Sequence, residues 1–176
     1  MGVRNITASW PVDSKEIAQS IISEYGEPNE ATLSMLIWYN NGPWKRTIVY
    51  RHTAKHDFPM PHLDGVEQVI NYAVPMEKAC ELAAFNGSIS FNCTRGEISA
   101  FCHDEKSNFL AINLAHDIIR DKKDFNKARR FYIDSMMAYR QNKPVPYMEK
   151  LQFIPEKNTA DPDEVMISEK ELARAG

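Results

Sequence analysis

Two short runs, residues 88–94 and 97–103, meet across Arg95-Gly96 and leave little choice in how they fold. With a two-residue loop, Cys93 stands opposite Ile98, Phe91 opposite Ala100 and Ile89 opposite Cys102, so six apolar side chains share one face. Strand side chains alternate, so a slip of one residue would turn all six to solvent. Register and pattern agree only in an antiparallel hairpin with one covered face. The rest of the chain must supply the cover.

An earlier hairpin is expected, with Leu33, Met35, Ile37 and Tyr39 lining one face of its first strand. Asn40-Asn41-Gly42-Pro43 is turn chemistry, since Asn and Gly accept positive φ, and residues 46–51 return as a β-branched and aromatic strand. Pro43 lacks an N–H, which predicts a loop slightly longer than two residues. Residues 52–65 mix histidines, prolines and charges without periodicity and read as an exposed loop. A third strand is expected at 68–74.

Helices separate these strands. Residues 13–25 place Ile17, Ile21, Ile22 and Tyr25 at helical spacing, with Asp13 as cap, Glu16 completing a capping box, and Gly26 and Pro28 as the stop. Pro75 opens a short helix with Met76, Ala79, Cys80 and Ala83 as its stripe. A helix from Asp104 is apolar over a wide face, and another at 124–141 carries Phe125, Ala128, Tyr132, Met136 and Tyr139. Residues 145–154 look extended, as an edge strand or a strap. The order α-β-β-β-α-β-β-α-α gives an α+β fold: a mainly antiparallel sheet from two hairpins plus one further strand, with helices packed on one face. Residues 1–155 form a single domain in this reading, and 156–176 a polar tail with a short helix from 168.

Charge and motifs exclude several functions. The net charge is −3, and the cluster Lys122, Lys123, Lys127, Arg129 and Arg130 is interleaved with Asp121, Asp124 and Asp134, so nucleic acid is not an expected partner. The longest apolar stretches are too short to cross a bilayer, and the start of the chain has no signal-like run, so a cytoplasmic protein with free Cys80, Cys93 and Cys102 is expected. There is no Gly-rich phosphate loop, nucleophile elbow, Cys-x-x-Cys or dinucleotide fingerprint, and no cofactor-binding residues or catalytic group can be assigned on motif grounds.

The sharpest constellation is His52-x3-His56-x5-His62-x-Asp64. Imidazole and carboxylate suit zinc or iron, and His56, His62 and Asp64 are the candidate ligands of a divalent transition metal, against the alternative of solvated loop histidines. Cys102-His103-Asp104-Glu105 joins a strand to a helix; the register turns Cys102 inward and His103 outward, with Asp104 as cap. Trp38, Tyr39, Trp44 and Tyr50 concentrate aromatics in the first hairpin, and Trp44, beside the turn, is expected to be exposed. Trp44 and His103 are therefore the candidate ligand or partner surface. His116-Asp117, mid-helix, reads as structural. Two functions follow: a non-catalytic binding or interaction protein for an unidentified protein or small molecule, which is favoured, and a metal-assisted hydrolase using the 52–64 run. An exposed edge at 145–154 would also allow a homodimer.

The run Tyr25-Gly26-Glu27-Pro28 through Ile37-Trp38-Tyr39-Asn40-Asn41-Gly42-Pro43-Trp44-Lys45-Arg46, with Phe58-Pro59-Met60-Pro61-His62 and Asn113-Leu114-Ala115-His116-Asp117, resembles a family of uncharacterised bacterial proteins. The resemblance extends from the first helix to Phe153. It implies bacterial origin and an intact single domain, and it brings no activity or catalytic residues.

Overall fold

The computed structural model describes residues 2–175, and among these six strands form one sheet: β1 (Glu30–Ala31), β2 (Met35–Asn41), β3 (Trp44–His56), β4 (His62–Asn71), β5 (Ile89–Asn92) and β6 (Glu97–Cys102). Their order is β1-β2-β3-β4-β6-β5, with every neighbouring pair antiparallel. The helices are α1 (Val3–Thr7), α2 (Val12–Tyr25), α3 (Ala79–Phe85, entered through a 3-10 turn at Met76–Lys78), α4 (Glu105–Ile119), α5 (Phe125–Arg140), α6 (Pro146–Glu149) and α7 (Glu169–Ala175). The fold is α+β, as the sequence predicts. None of the helices among the described residues is long and apolar enough to cross a membrane.

Register shows which face is covered. Leu36 pairs with Val49, Val49 with Val66, and Val66 with Cys102, so one line of side chains runs across four strands on a single face. α1 and α2 cover the β2–β3 half of that face, packing Ile6, Trp10, Ala18 and Ile21 on Leu36, Trp38 and Val49. The other half, Ile70, Ile98, Ala100 and Cys102, packs with Leu82, Phe85, Leu110 and Leu114 of α3 and α4. Each large aliphatic side chain removed from water in this way is worth about 1.5–3 kcal/mol. The opposite sheet face is partly polar, with Arg46 donating to both oxygens of Glu97 (2.9 and 2.6 Å) and Tyr50 donating to Glu67 (2.8 Å).

Several local expectations change. The β5–β6 hairpin pairs Ile89 with Ala100 and Phe91 with Ile98, two residues from the expected register. The Gly96 N–H bonds the Cys93 carbonyl at 3.0 Å, and Gly96 takes φ +58°. The turn therefore spans 93–96, and a two-residue shift keeps every side chain on its face. In the first hairpin Asn41 pairs with Trp44, so the loop is Gly42-Pro43 and no longer than two residues; Pro43 lies where the ladder asks for no N–H.

The largest change is at 52–65. Only 57–61 are a loop: β3 runs on to His56 and β4 begins at His62, which also replaces the strand expected at 68–74. The ladder shifts register between Val49 and Ala54, and this irregularity breaks the alternation by which a strand is recognised.

Among the helices, α2 begins one residue early, at Val12. Its N-cap is Pro11, and no side chain caps it, so Asp13 and Glu16 form no capping box. α3 buries Leu82 and Phe85 while Cys80 is exposed and Met76 is 65% exposed, because the 3-10 entry rotates the helical face away from the expected stripe. α5 buries Ala128, Tyr132 and Ser135, and Tyr139 is exposed. Residues 145–154 form no edge strand. Buried Asn113 holds them as a strap, its Nδ2 donating to the carbonyls of Tyr147 (3.0 Å) and Lys150 (2.8 Å) and its Oδ1 accepting from the Gln152 N–H (2.7 Å). A homodimer through a strand edge there has no strand to use.

Candidate metal centre

All three candidate ligands lie on the β3–β4 hairpin. His56 and His62 are cross-strand partners at its end, and Asp64, two residues beyond His62, shares their face by the two-residue period of a strand. Tight packing against α2 holds this end of the hairpin: a Cβ at Gly65 would stand 2.7 Å from Ile17 Cδ1 and 3.1 Å from Thr53 Cγ2. One ring nitrogen each from His56 and His62 and one Asp64 oxygen lie within 4.8 Å of one another.

Asp64 is 1% exposed, and a carboxylate so buried is costly unless something positive answers it. Its Oδ2 has partners: Ser88 Oγ donates at 3.0 Å and His56 Nδ1 is 2.9 Å away. Its Oδ1 has no hydrogen bond, although His62 Nε2 stands only 2.9 Å from it. On the far side of the His62 ring, Nδ1 is 2.7 Å from the Met60 carbonyl. A metal-ligating histidine has this form, with its second ring N–H fixed by a backbone carbonyl.

Two other arrangements can be compared. In a Ser-His-Asp relay the serine and the carboxylate meet opposite ring nitrogens. Here Ser88 Oγ (3.1 Å) and Asp64 both meet Nδ1 of His56, so Ser88 is not set up as a nucleophile. A thiolate at Cys102 is also disfavoured: burial, with the nearby charges of Asp64 and Asp104, pushes the thiol well above its ordinary value.

Of the remaining candidates, His103 lies beside the hairpin end, its ring 5.5 Å from that of His62. Its Nε2 is 3.1 Å from Asp104 Oδ2, and the hydrogen bond with Asp104 raises its pKa against the opposing effect of burial. Burial pushes the Asp104 carboxyl up, but His103 and the Ser107 N–H (2.7 Å) outweigh it and hold it below the usual range. His52 is exposed and falls in the irregular part of β3, apart from the group.

Trp44 is the clear correction. It is 1% exposed, its Nε1 donates to Glu105 Oε1 at 2.6 Å, and its ring is 4.8 Å from that of Phe109. The same oxygen accepts from Tyr25 (2.6 Å) and Gln68 (2.9 Å), so Trp44 belongs to a polar joint between the sheet and α4 and offers no partner surface. Nothing in the sequence points to Ser88. It lies outside the ligand run, and only the β5–β6 pairing next to β4 brings it to Asp64.

An open cleft of about 490 Å³ adjoins the centre, lined on one side by His62, Leu63 and His103 and on the other by Asp13, Glu16, Ile17 and Ser20 of α2. No protein-family model, curated protein or solved structure matches the chain.

Proposed function

We propose that the chain is a metal-assisted hydrolase whose divalent transition ion is held by His56, His62 and Asp64. The observation that carries this reading is Asp64 Oδ1, buried, without a hydrogen bond and 2.9 Å from His62 Nε2. Two imidazoles and one carboxylate fill three positions and leave others open, as in catalytic rather than structural sites. An ion held there would act as a Lewis acid and would lower the pKa of water at an open position, the chemistry a hydrolase needs. The histidine side chains each keep 20% of their surface, and His62 lines the cleft by which a substrate would approach. The binding-protein reading, favoured on the sequence, rests on the lack of a catalytic motif and on the aromatic hairpin; Trp38 and Trp44 of that hairpin are buried in the core.

Elemental analysis of the purified, untagged chain tests the proposal. Near-stoichiometric zinc, iron or manganese is expected, and it should be lost in His62→Ala while the circular dichroism spectrum is kept. No metal in the unaltered protein, even after equilibration with each ion, overturns it.

A further inference from the structure

Every residue from Asp161 to Arg174 is exposed, and the stretch carries Val165, Met166 and Ile167 in succession, the first two each 88% exposed, with Leu172 beyond them. It leaves the body at a fixed point, where Thr159 Oγ1 donates to the Gly96 carbonyl (2.7 Å) and the Asp161 N–H to that of Thr94 (3.0 Å). Its helix α7 is encoded locally. Ser168 and Glu171 form a capping box, the Ser168 N–H donating to Glu171 Oε2 (2.8 Å) and the Glu171 N–H to Ser168 Oγ (3.4 Å), and Ile167 and Leu172 stand in the staple positions on either side. A helix of seven residues does not persist in water without packing, since about 12–15 are needed. A capped helix that is exposed throughout is completed by another surface.

A surface that suits it lies between α1 and α2, a groove of about 640 Å³ in which Val3, Ala18 and Ile22 supply apolar lining and Arg4 and Lys15 the positive charge. No ion pair among the described residues engages either base, and Glu27 is the one acid of the lining. Asp13 and Glu16 of α2 line the cleft beside the hairpin end instead. Residues 161–174 hold five acids against two bases, so the apolar stretch arrives with the complementary charge. A second basic groove, at Lys106, Arg140 and Lys143, fits it less well: Lys106 donates to Tyr139 (3.0 Å), and its apolar residues Val145 and Met148 are buried. The chain's own α1–α2 groove is badly placed. Val165 is four residues beyond the Asp161 anchor, a reach of at most about 14 Å, and that anchor stands at the β5–β6 turn, across the sheet from the β2–β3 half that α1 and α2 cover.

We infer that two copies of the chain associate by exchanging these segments, residues 163–172 of each lying in the α1–α2 groove of the other. Val165, Met166 and Ile167 then pack on Val3 and Ile22, and the acids face Arg4 and Lys15. Reciprocal exchange closes a two-fold pair, where a one-way contact would give a filament. The association is independent of the metal reading.

Sedimentation equilibrium of the full chain, at up to about 0.5 mM, tests the association. The unaltered protein should form dimers that weaken as salt is added. Two double variants, Met166→Asp with Ile167→Asp in the tail and Arg4→Glu with Lys15→Glu in the groove, should each weaken dimer formation roughly tenfold or more while keeping the circular dichroism spectrum. Mixed in equal amounts, the two variants should associate again, because the groove variant brings an intact tail and the tail variant an intact groove. A monomer at every concentration, whether the tail is free or lies in its own groove, overturns the inference. So does a dimer that survives in either variant, and so does a mixture that stays monomeric.

Discussion

Ser88 shows how much of a site one hydroxyl can hold. Its backbone is fixed from both sides, its N–H donating to Asn86 Oδ1 (2.8 Å) and its carbonyl accepting from the Phe101 N–H (3.0 Å), and its Oγ reaches Asp64 and His56 together. Groups that orient ligands in this way typically account for about 10–100-fold in metal affinity. Ser88→Ala is therefore expected to weaken metal binding by that factor without changing stoichiometry, as measured by competition with a chromophoric chelator. An unchanged affinity would mean that the hydroxyl serves only the fold. Glu97 is the corresponding residue for stability. Arg46, then Lys45, hold its carboxyl down at about 2 despite burial. A folded-state value below the ordinary one contributes stability above the ordinary carboxylate pKa, and that contribution is lost as pH falls toward the folded value. The protein should thus lose stability between about pH 4.5 and 2, and Glu97→Gln should flatten that slope in urea unfolding and cost about 1 kcal/mol at neutral pH.

At the scale of elements, the strap after α5 depends on one buried side chain. Asn113 satisfies the backbone of Tyr147, Lys150 and Gln152, groups that an irregular segment cannot pair within itself. Tyr147 donates a hydrogen bond to Asp117 (2.9 Å), and burial together with that bond pushes its pKa up to about 12. Asn113→Ala is expected to cost about 2–3 kcal/mol and to speed amide exchange at residues 147–152, while β5 and β6 keep their protection. Uniform loss of protection would show that the strap and the sheet open together. The helix caps are readable in part: Asp104 accepts from the Ser107 N–H as the sequence predicts, because a cap is a contact within one turn, and the structure adds Asp124, which accepts from the Lys127 N–H. Asp13 was read in the same way and is not a cap, since the chain enters α2 through Pro11.

For the whole molecule, an ion held at the proposed centre would couple its binding to folding. His56, His62 and Asp64 are brought together by the hairpin, and an ion that binds only the folded chain stabilises it by mass action. At a free metal concentration a hundred times Kd this is about 2.7 kcal/mol, or roughly 5–10 °C in Tm for a chain of this size. The shift should appear in thermal unfolding with and without zinc, and it should be absent in His62→Ala.

The α+β class, both hairpins, the long α4 and α5 and the choice of His56, His62 and Asp64 as candidate ligands were all available from the sequence, because each depends on local periodicity, turn chemistry or residue type. The 52–65 segment was misread because its strands are interrupted by a register shift and a proline-rich turn, which leave no alternation to detect. Only the tertiary structure decided the rest. Cross-strand pairing set His56 against His62, α2 closed over Gly65, and Trp44 went into the joint with Glu105. Ser88 reached Asp64 through a neighbouring strand. These are contacts between residues distant in the chain, fixed by which surfaces pack together, and a periodic pattern in one segment carries no information about its neighbours across the sheet.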